Sequence, residues 1–481
     1  MSKIKKNLSY QTIYQIVITI TPLITSPYLS RTLGADSQGI YSYRLSIVSY
    51  FTLFSILGMA TYGAKMIAAN SNNKRERDCL FGKLAFVQLS ISTVTTLLYI
   101  LYCMFFSGRD LMSWVLLITM VSYLFDYTWF FHGIQRFSIP TLVNTIVKIL
   151  NVVLILLLVK CPDDVFKYAA IMGGTTFVSF FSLVPFIMHE VDHKNFVLPT
   201  FNEYSFHLKN SVILFIPIAA QTIYHVMDKT MLGAISTYSE TGYYYNADKL
   251  VSIPIGILAG VCTVMLPRMS ELKALKRGNE MQMTFKLSLS LIGWISSAFA
   301  FGIIGVADEF VPMFFGEEFV ACVPLVQVLA FVIVLKSISE CLKAQYLIPN
   351  EFNMIFIISV FSGAVLNLLL NAFLIPIYGA MGAVIGTICA ELIALAVQGL
   401  FVFKKERLFL FSMYILGFLI VGILMCFILK LLKFNFNSVY INLACKICIG
   451  GILYAAMSVI YFLLTPNALL SNKILSVLKR K

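Results

Sequence analysis

Eleven ionisable side chains sit where this sequence is most apolar. Six are basic, Arg44, Lys148, Lys229, Lys249, Lys336 and Lys446, and five are acidic, Asp126, Asp228, Asp248, Glu340 and Glu391. A charge in hydrocarbon is costly unless it is paired, snorkels or faces water, so each is a candidate for binding or transport. Basic groups in such places suit anions, phosphate above all, through charge-assisted hydrogen bonds. Carboxylates suit a proton or a cation, or act as ion pairs that stitch helices together. Arg44 and Lys249 each lie one or two turns into an apolar segment. Lys336 lies deep in another, and Glu340 follows four residues later on the same helical face, where the two could pair. Asp228 shares a stripe with Gln221, Tyr224 and His225, and Asp126 lies among Tyr123, Tyr127 and Phe130. Such stripes fit a wetted inner face better than a lipid face. Lys229 and Lys446 are close enough to segment ends to snorkel. Neither a metal site nor a catalytic constellation is expected: the ten cysteines are scattered, and the single C-x-x-C, Cys445 and Cys448, has no companion pair or neighbouring histidine.

The elements that position these charges follow from composition. With 59% hydrophobic and 12% charged residues and a mean hydropathy of +0.86, the chain cannot bury its apolar surface in a water-soluble core. A hydrocarbon layer about 30 Å thick asks for roughly 20 apolar residues per helix, and lipid offers backbone amides no partners, so the spans must be helices. Reading apolar runs between polar breaks predicts fourteen segments: 10–28, 40–62, 84–106, 111–131, 139–159, 165–188, 211–235, 243–266, 285–307, 320–348, 352–375, 381–403, 410–432 and 440–464. The longest internal break is about 22 residues, too short for a folded soluble domain. The basic N-terminus leads into a first helix with no small-residue cleavage pattern, so that helix is expected to be retained.

Lys and Arg set the expected orientation. With the N-terminus in the cytoplasm, 24 of the 36 basic residues fall on the cytoplasmic side and 6 on the outer side, Arg31, Arg109, Lys160, Lys167, Lys430 and Lys433. That asymmetry predicts both termini inside. The net charge of +13 then reflects topology and contact with anionic lipid, with no need for a nucleic-acid partner.

A weak internal repeat runs through the chain. Arg31-Thr32 aligns with Lys229-Thr230, Gly34 with Gly233, Gly39-Ile40-Tyr41 with Gly242-Tyr243-Tyr244, and Arg44-Leu45 with Lys249-Leu250. Two-lobed transporters show repeats of this kind. Pro22 and Pro27 in the first segment, Pro217 in the seventh and Pro254 in the eighth would loosen backbone hydrogen bonding, and so are gating candidates.

Five stretches in order carry a family resemblance: P-Y-L-S-R-T-L-G with G-I-Y-S at 27–42, W-F-F-H-G-I-Q-R-F at 129–137, L-L-V-K-C-P-D-D at 157–164, Y-Y-N-A-D-K-L-V-S-I-P-I-G at 244–256, and Y-L-I-P-N-E from 346 with N-L-L-L-N and I-P-I-Y-G-A-M-G-A up to 383. With them the sequence resembles the Wzx-type polysaccharide-transport branch of the multidrug/oligosaccharidyl-lipid/polysaccharide exporter superfamily. The resemblance implies an all-α polytopic membrane protein of about 14 helices: two six-helix lobes, 1–209 and 210–403, around a central cavity, with 404–481 as two added helices and a tail. It implies a transporter of the bacterial cytoplasmic membrane that flips undecaprenyl-diphosphate-linked oligosaccharide outward by alternating access, for O-antigen, capsule or exopolysaccharide. Membrane lipids, a polysaccharide polymerase and a chain-length regulator are the further expected partners. No cofactor is implied; membrane potential, sodium or protons are the coupling options, with Asp126 and Asp228 as ion carriers. Arg44, Lys249, Arg31, Asp228, Asp126, Lys148, Lys336 and Glu340 are the expected cavity residues. The 244–256 stretch also looks like the segment-eight motif of the lipid II flippases, in which a basic residue after the Asp faces the cavity; here that residue is Lys249. A multidrug or cation exporter of the same fold is the alternative, and it would need carboxylates to dominate the cavity. A membrane polymerase or ligase would need a large outer loop with catalytic Arg or His.

Overall fold

The computed structural model describes residues 3–108, 110–406, 409–432, 434 and 438–465. Arg109, Arg407, Lys433 and the basic tail at 473–481, used above for orientation, lie outside them. Among the described residues there is no strand. Eleven helices are long and apolar enough to cross a membrane, or twelve counting the pair Glu317–Leu329 and Phe331–Leu347, which bends by 41°.

Two features reconcile that count with fourteen predicted segments. Val17–Ala69 is 53 residues long, roughly 80 Å at 1.5 Å per residue, enough for two crossings. Its first helix, Lys3–Ile56, is broken at Gly34, where φ 70° and ψ 179° put the backbone in a region essentially reserved for glycine. The break therefore falls between the first two predicted segments and at neither Pro22 nor Pro27. Ile415–Leu431 is a shorter apolar helix where the thirteenth segment was expected. Each predicted segment thus has its helix.

The chain forms two compact units, Met1–Gly242 and Tyr243–Lys481. The resemblance implies a lobe boundary at 209/210; the packing boundary falls at 242/243.

In the first unit, Leu29, Leu33, Tyr41, Val48, Tyr99, Leu116 and Ile155 bury themselves in one cluster. A second cluster joins Met59, Tyr62, Phe81, Trp129, Phe130 and Ile187. The helix Phe201–Ile235 belongs to this unit: Tyr62 Oη meets His207 Nδ1 at 2.8 Å, and the Ser211 hydroxyl donates to the Leu57 carbonyl at 2.5 Å. Its start is set by sequence, since Thr200 accepts from the Glu203 amide while Glu203 accepts from the Thr200 amide. An ion cluster built on the buried pair Arg77 and Asp78 pins the connecting segments. Arg77 holds Asp78 at 2.8 Å and the Glu190 carbonyl at 3.2 Å, and Arg136 reaches Glu190 at 2.5 Å.

In the second unit the helix Gly278–Phe315 packs against the last two helices, Phe409–Leu431 and Val439–Leu464. Trp294 Nε1 donates to Ser458 Oγ at 2.9 Å, and Tyr454 Oη donates to the Trp294 carbonyl at 2.7 Å. Lys446, expected to snorkel, is instead 7% exposed and pairs with Glu309 at 2.5 Å, which meets the cost of its burial.

Candidate functional site

The structure sorts the intramembrane charges by their partners. Arg44 Nε stands 2.9 Å from Asp110 Oδ2, and its guanidinium lies 4.9 Å from the Tyr43 ring centroid. The Arg44 Nε–H makes no aligned hydrogen bond, so the contact is ionic. Asp110 has a second task, because Oδ2 accepts from the Ser113 amide at 3.2 Å and caps the helix Leu111–Ser122. Asp110 is not among the expected site residues. The signal available was the N-cap pattern, Asp just before an apolar run.

Lys336 does not pair with Glu340 as their spacing suggested. It lies 3.7 Å from Glu391 on the helix Ala380–Glu406, and Glu340 pairs with Lys343 at 2.6 Å. The local reason is a π-helical turn, Lys343–Leu347, directly after the helix Phe331–Leu342. A lysine at i+3 on that turn takes the carboxylate that helical spacing had assigned to Lys336.

Lys249 is different. Half-buried in the helix Tyr238–Ala274, it has the Tyr245 ring at 5.5 Å and, among the described residues, no carboxylate within ion-pair distance. An ammonium in a spanning helix with only an aromatic face for company needs water or an anion nearby.

Asp126 lies at a break between the short helices Tyr123–Phe125 and Thr128–Gly133. Its carboxylate accepts from the Thr128 hydroxyl at 2.6 Å and amide at 3.2 Å. Gln88 spans the break, donating to the Asp126 carbonyl at 2.7 Å and accepting from Trp129 Nε1 at 2.6 Å. Asp228 is 3% exposed and lies in electrostatic range of Tyr50. Next to it Thr230 Oγ1 lies 2.8 Å from Ser46 Oγ and 3.1 Å from Tyr50 Oη, so it donates to one and accepts from the other. Arg31 is exposed, and Lys148 lines an open cavity in the first unit. Pro22, Pro27, Pro217 and Pro254 all lie inside helices.

The second unit also holds an apolar groove of about 600 Å³ between the helix Gly278–Phe315 and the last two helices, lined by Phe299, Phe310, Met425, Leu429 and Tyr454 among others. Among the described residues no group of three or more His, Cys, Asp or Glu side chains could hold a metal ion.

Known proteins share this architecture. A candidate O-antigen transporter of Escherichia coli strain K12 is 21% identical over 408 residues, covering 84% of this chain and 98% of that protein. Among solved structures, the lipid II flippase MurJ in an inward closed conformation superposes with a TM-score of 0.75 at 17% identity, over 94% of this chain and 99% of its own. An inward-facing multidrug resistance MATE family transporter of the MOP superfamily gives 0.63 at 14% identity, over 83% and 98%. At these identities the structural likeness is one of fold. Transporters and flippases, not enzymes, are what these names have in common. Residues 4–273, more than half of the 481, match one family along their whole length, and the chain belongs to it: the polysaccharide biosynthesis protein family.

Proposed function

We propose that this protein is a flippase that carries undecaprenyl-diphosphate-linked oligosaccharide from the inner to the outer leaflet of a bacterial cytoplasmic membrane, with both termini in the cytoplasm. Lys249 carries the reading: a basic group in a spanning helix, without a carboxylate partner among the described residues, matches the diphosphate of such a lipid. In the first unit Arg44, held by Asp110, is a further candidate for phosphate binding. The apolar groove in the second unit has the chemistry a polyprenyl chain needs. The E. coli relative, by its name a candidate O-antigen transporter, supports surface polysaccharide as the destination, and a polymerase and a chain-length regulator would then act on the delivered unit. The likeness in fold to transporters solved in inward-facing and inward closed conformations supports alternating access, for which the prolines of the first, seventh and eighth segments are the proposed bending points.

The test is reconstitution. Purified protein in vesicles with fluorescent undecaprenyl-diphosphate oligosaccharide on one leaflet should move label to the other faster than empty vesicles. Cationic dyes offered to the same vesicles should not be transported. Dye transport without lipid movement would replace this reading with a multidrug exporter.

A further inference from the structure

The helices Ser138–Leu158 and Val165–Phe181 flank an open cavity of about 210 Å³. Its wall is mixed: Val147, Met172 and Phe180 form the apolar part, and polar side chains form the rest. Asn144, Lys148 and Asn151 recur at helical spacing on one helix, and Thr175, Thr176 and Ser179 line the cavity from the other. The remaining surface of the first helix carries Leu142, Ile146, Ile149, Val153 and Leu157, all exposed, as a lipid-facing stripe should be. Polar side chains gathered on the face opposite that stripe give an open cavity that can hold water or a polar guest.

The hydrogen bonds inside it are incompletely used. Asn151 Nδ2 donates to Thr175 Oγ1 at 2.8 Å, and the Ser179 hydroxyl donates to Asn144 Oδ1. Thr175 and Thr176 donate to the Ile171 and Met172 carbonyls at 2.7 and 2.8 Å. Among the described residues this leaves the Asn144 amide nitrogen as an open donor and the Asn151 carbonyl as an open acceptor. Seven residues of helix set them about 10 Å apart. The volume is below the roughly 300–1,000 Å³ of pockets for drug-sized ligands and suits a single ring.

Resting on the flippase reading, we propose that this cavity is a sugar subsite. One ring of the lipid-linked oligosaccharide enters it, taking hydrogen bonds from the Asn144 amide and the Lys148 ammonium and giving one to the Asn151 carbonyl. A polyol pairs with donors and acceptors alike, whereas an apolar guest would leave them unmatched.

The experiment compares three compounds in proteoliposomes: undecaprenyl diphosphate, the same lipid bearing one N-acetylglucosamine, and the lipid-linked repeat unit extracted from cells whose surface polysaccharide the protein supports. The variants are Asn144→Leu, Asn151→Leu and Thr175→Val. Asn144, only half-buried, serves where the Asn151 variant does not insert. Asn144→Leu and Asn151→Leu should each flip the repeat unit about two- to tenfold more slowly, the loss of one net hydrogen bond, and Thr175→Val, which removes the group that orients the Asn151 amide, should slow it in the same direction. Undecaprenyl diphosphate should compete as it does in the unaltered protein. Variants that flip the repeat unit normally would reduce the cavity to water-filled packing and leave the flippase reading standing. Weakened competition by undecaprenyl diphosphate would assign the effect to head-group binding and overturn the subsite. If the unaltered protein flips neither sugar-bearing lipid, the flippase reading itself falls.

Discussion

Gly39 and Gly242 pack backbone against backbone: a Cβ on Gly39 would stand 3.0 Å from the Gly242 nitrogen and would overlap the Tyr238 carbonyl. The overlap is reciprocal, because a Cβ on Gly242 would meet the Ala35 carbonyl. Ala35 and Gly39 precede Tyr238 and Gly242 by the same 203 positions, and Ser239 donates to Asp36 at that offset too. Reciprocal contacts between equivalent residues are those of a local two-fold axis. The weak repeat in the sequence therefore meets itself here.

A methyl at either position must push the two segments apart. Gly39→Ala and Gly242→Ala should each lower stability by about 1–3 kcal/mol, the usual range for overpacking. The double variant should cost less than the sum, because the residues touch. Thermal unfolding in detergent measures this, and unchanged melting would contradict the close packing.

Ser46 and Thr230 offer a direct control on movement. Their hydroxyl oxygens are 2.8 Å apart, so cysteines there should be within disulfide reach. In a background with the ten native cysteines replaced, oxidation of Ser46→Cys/Thr230→Cys should stop flipping, and reduction should restore it. Full flux in the oxidised protein would mean that these segments stay together through the cycle.

If Arg44 binds the diphosphate as proposed, its contact with Asp110 must compete with the substrate. Asp110→Asn keeps an N-cap for the helix Leu111–Ser122 while removing the ionic partner. Binding of an undecaprenyl-diphosphate lipid should tighten several-fold in Asp110→Asn and weaken in Arg44→Ala. Affinity unmoved by either change would make Arg44–Asp110 a structural pair.

Much of this was legible in the sequence, for physical reasons. Apolar runs placed all fourteen helices, because bilayer thickness sets their length, and the Gly34 turn appeared as a glycine among polar residues between two such runs. Ion pairing was less legible. Lys336 and Glu340 have ideal helical spacing, yet Glu391 and Lys343 take their places, because the partner on another helix and the π-helical turn leave no mark at that spacing. Lys446 was misplaced for a similar reason: Glu309 is 137 residues away in sequence.

Membrane potential should help drive the cycle. A cationic empty site and a neutralised loaded one respond differently to voltage, by up to about 2.3 kcal/mol per charge per 100 mV. With potassium gradients alone, flipping should rise when the compartment equivalent to cytoplasm is negative. A rate that ignores voltage and follows sodium or pH would move coupling to Asp126 or Asp228.

The most direct test of the account is a Lys249 series in proteoliposomes, using undecaprenyl-diphosphate oligosaccharide and protein of verified insertion. Lys249→Arg should retain most flipping because it keeps the charge. Lys249→Ala should lose roughly ten- to a hundredfold, the worth of one charge-assisted hydrogen bond of about 1.5–3 kcal/mol, and Lys249→Glu should be inactive. Wild-type flipping by both Lys249→Ala and Lys249→Glu would contradict the assignment of the diphosphate to this lysine.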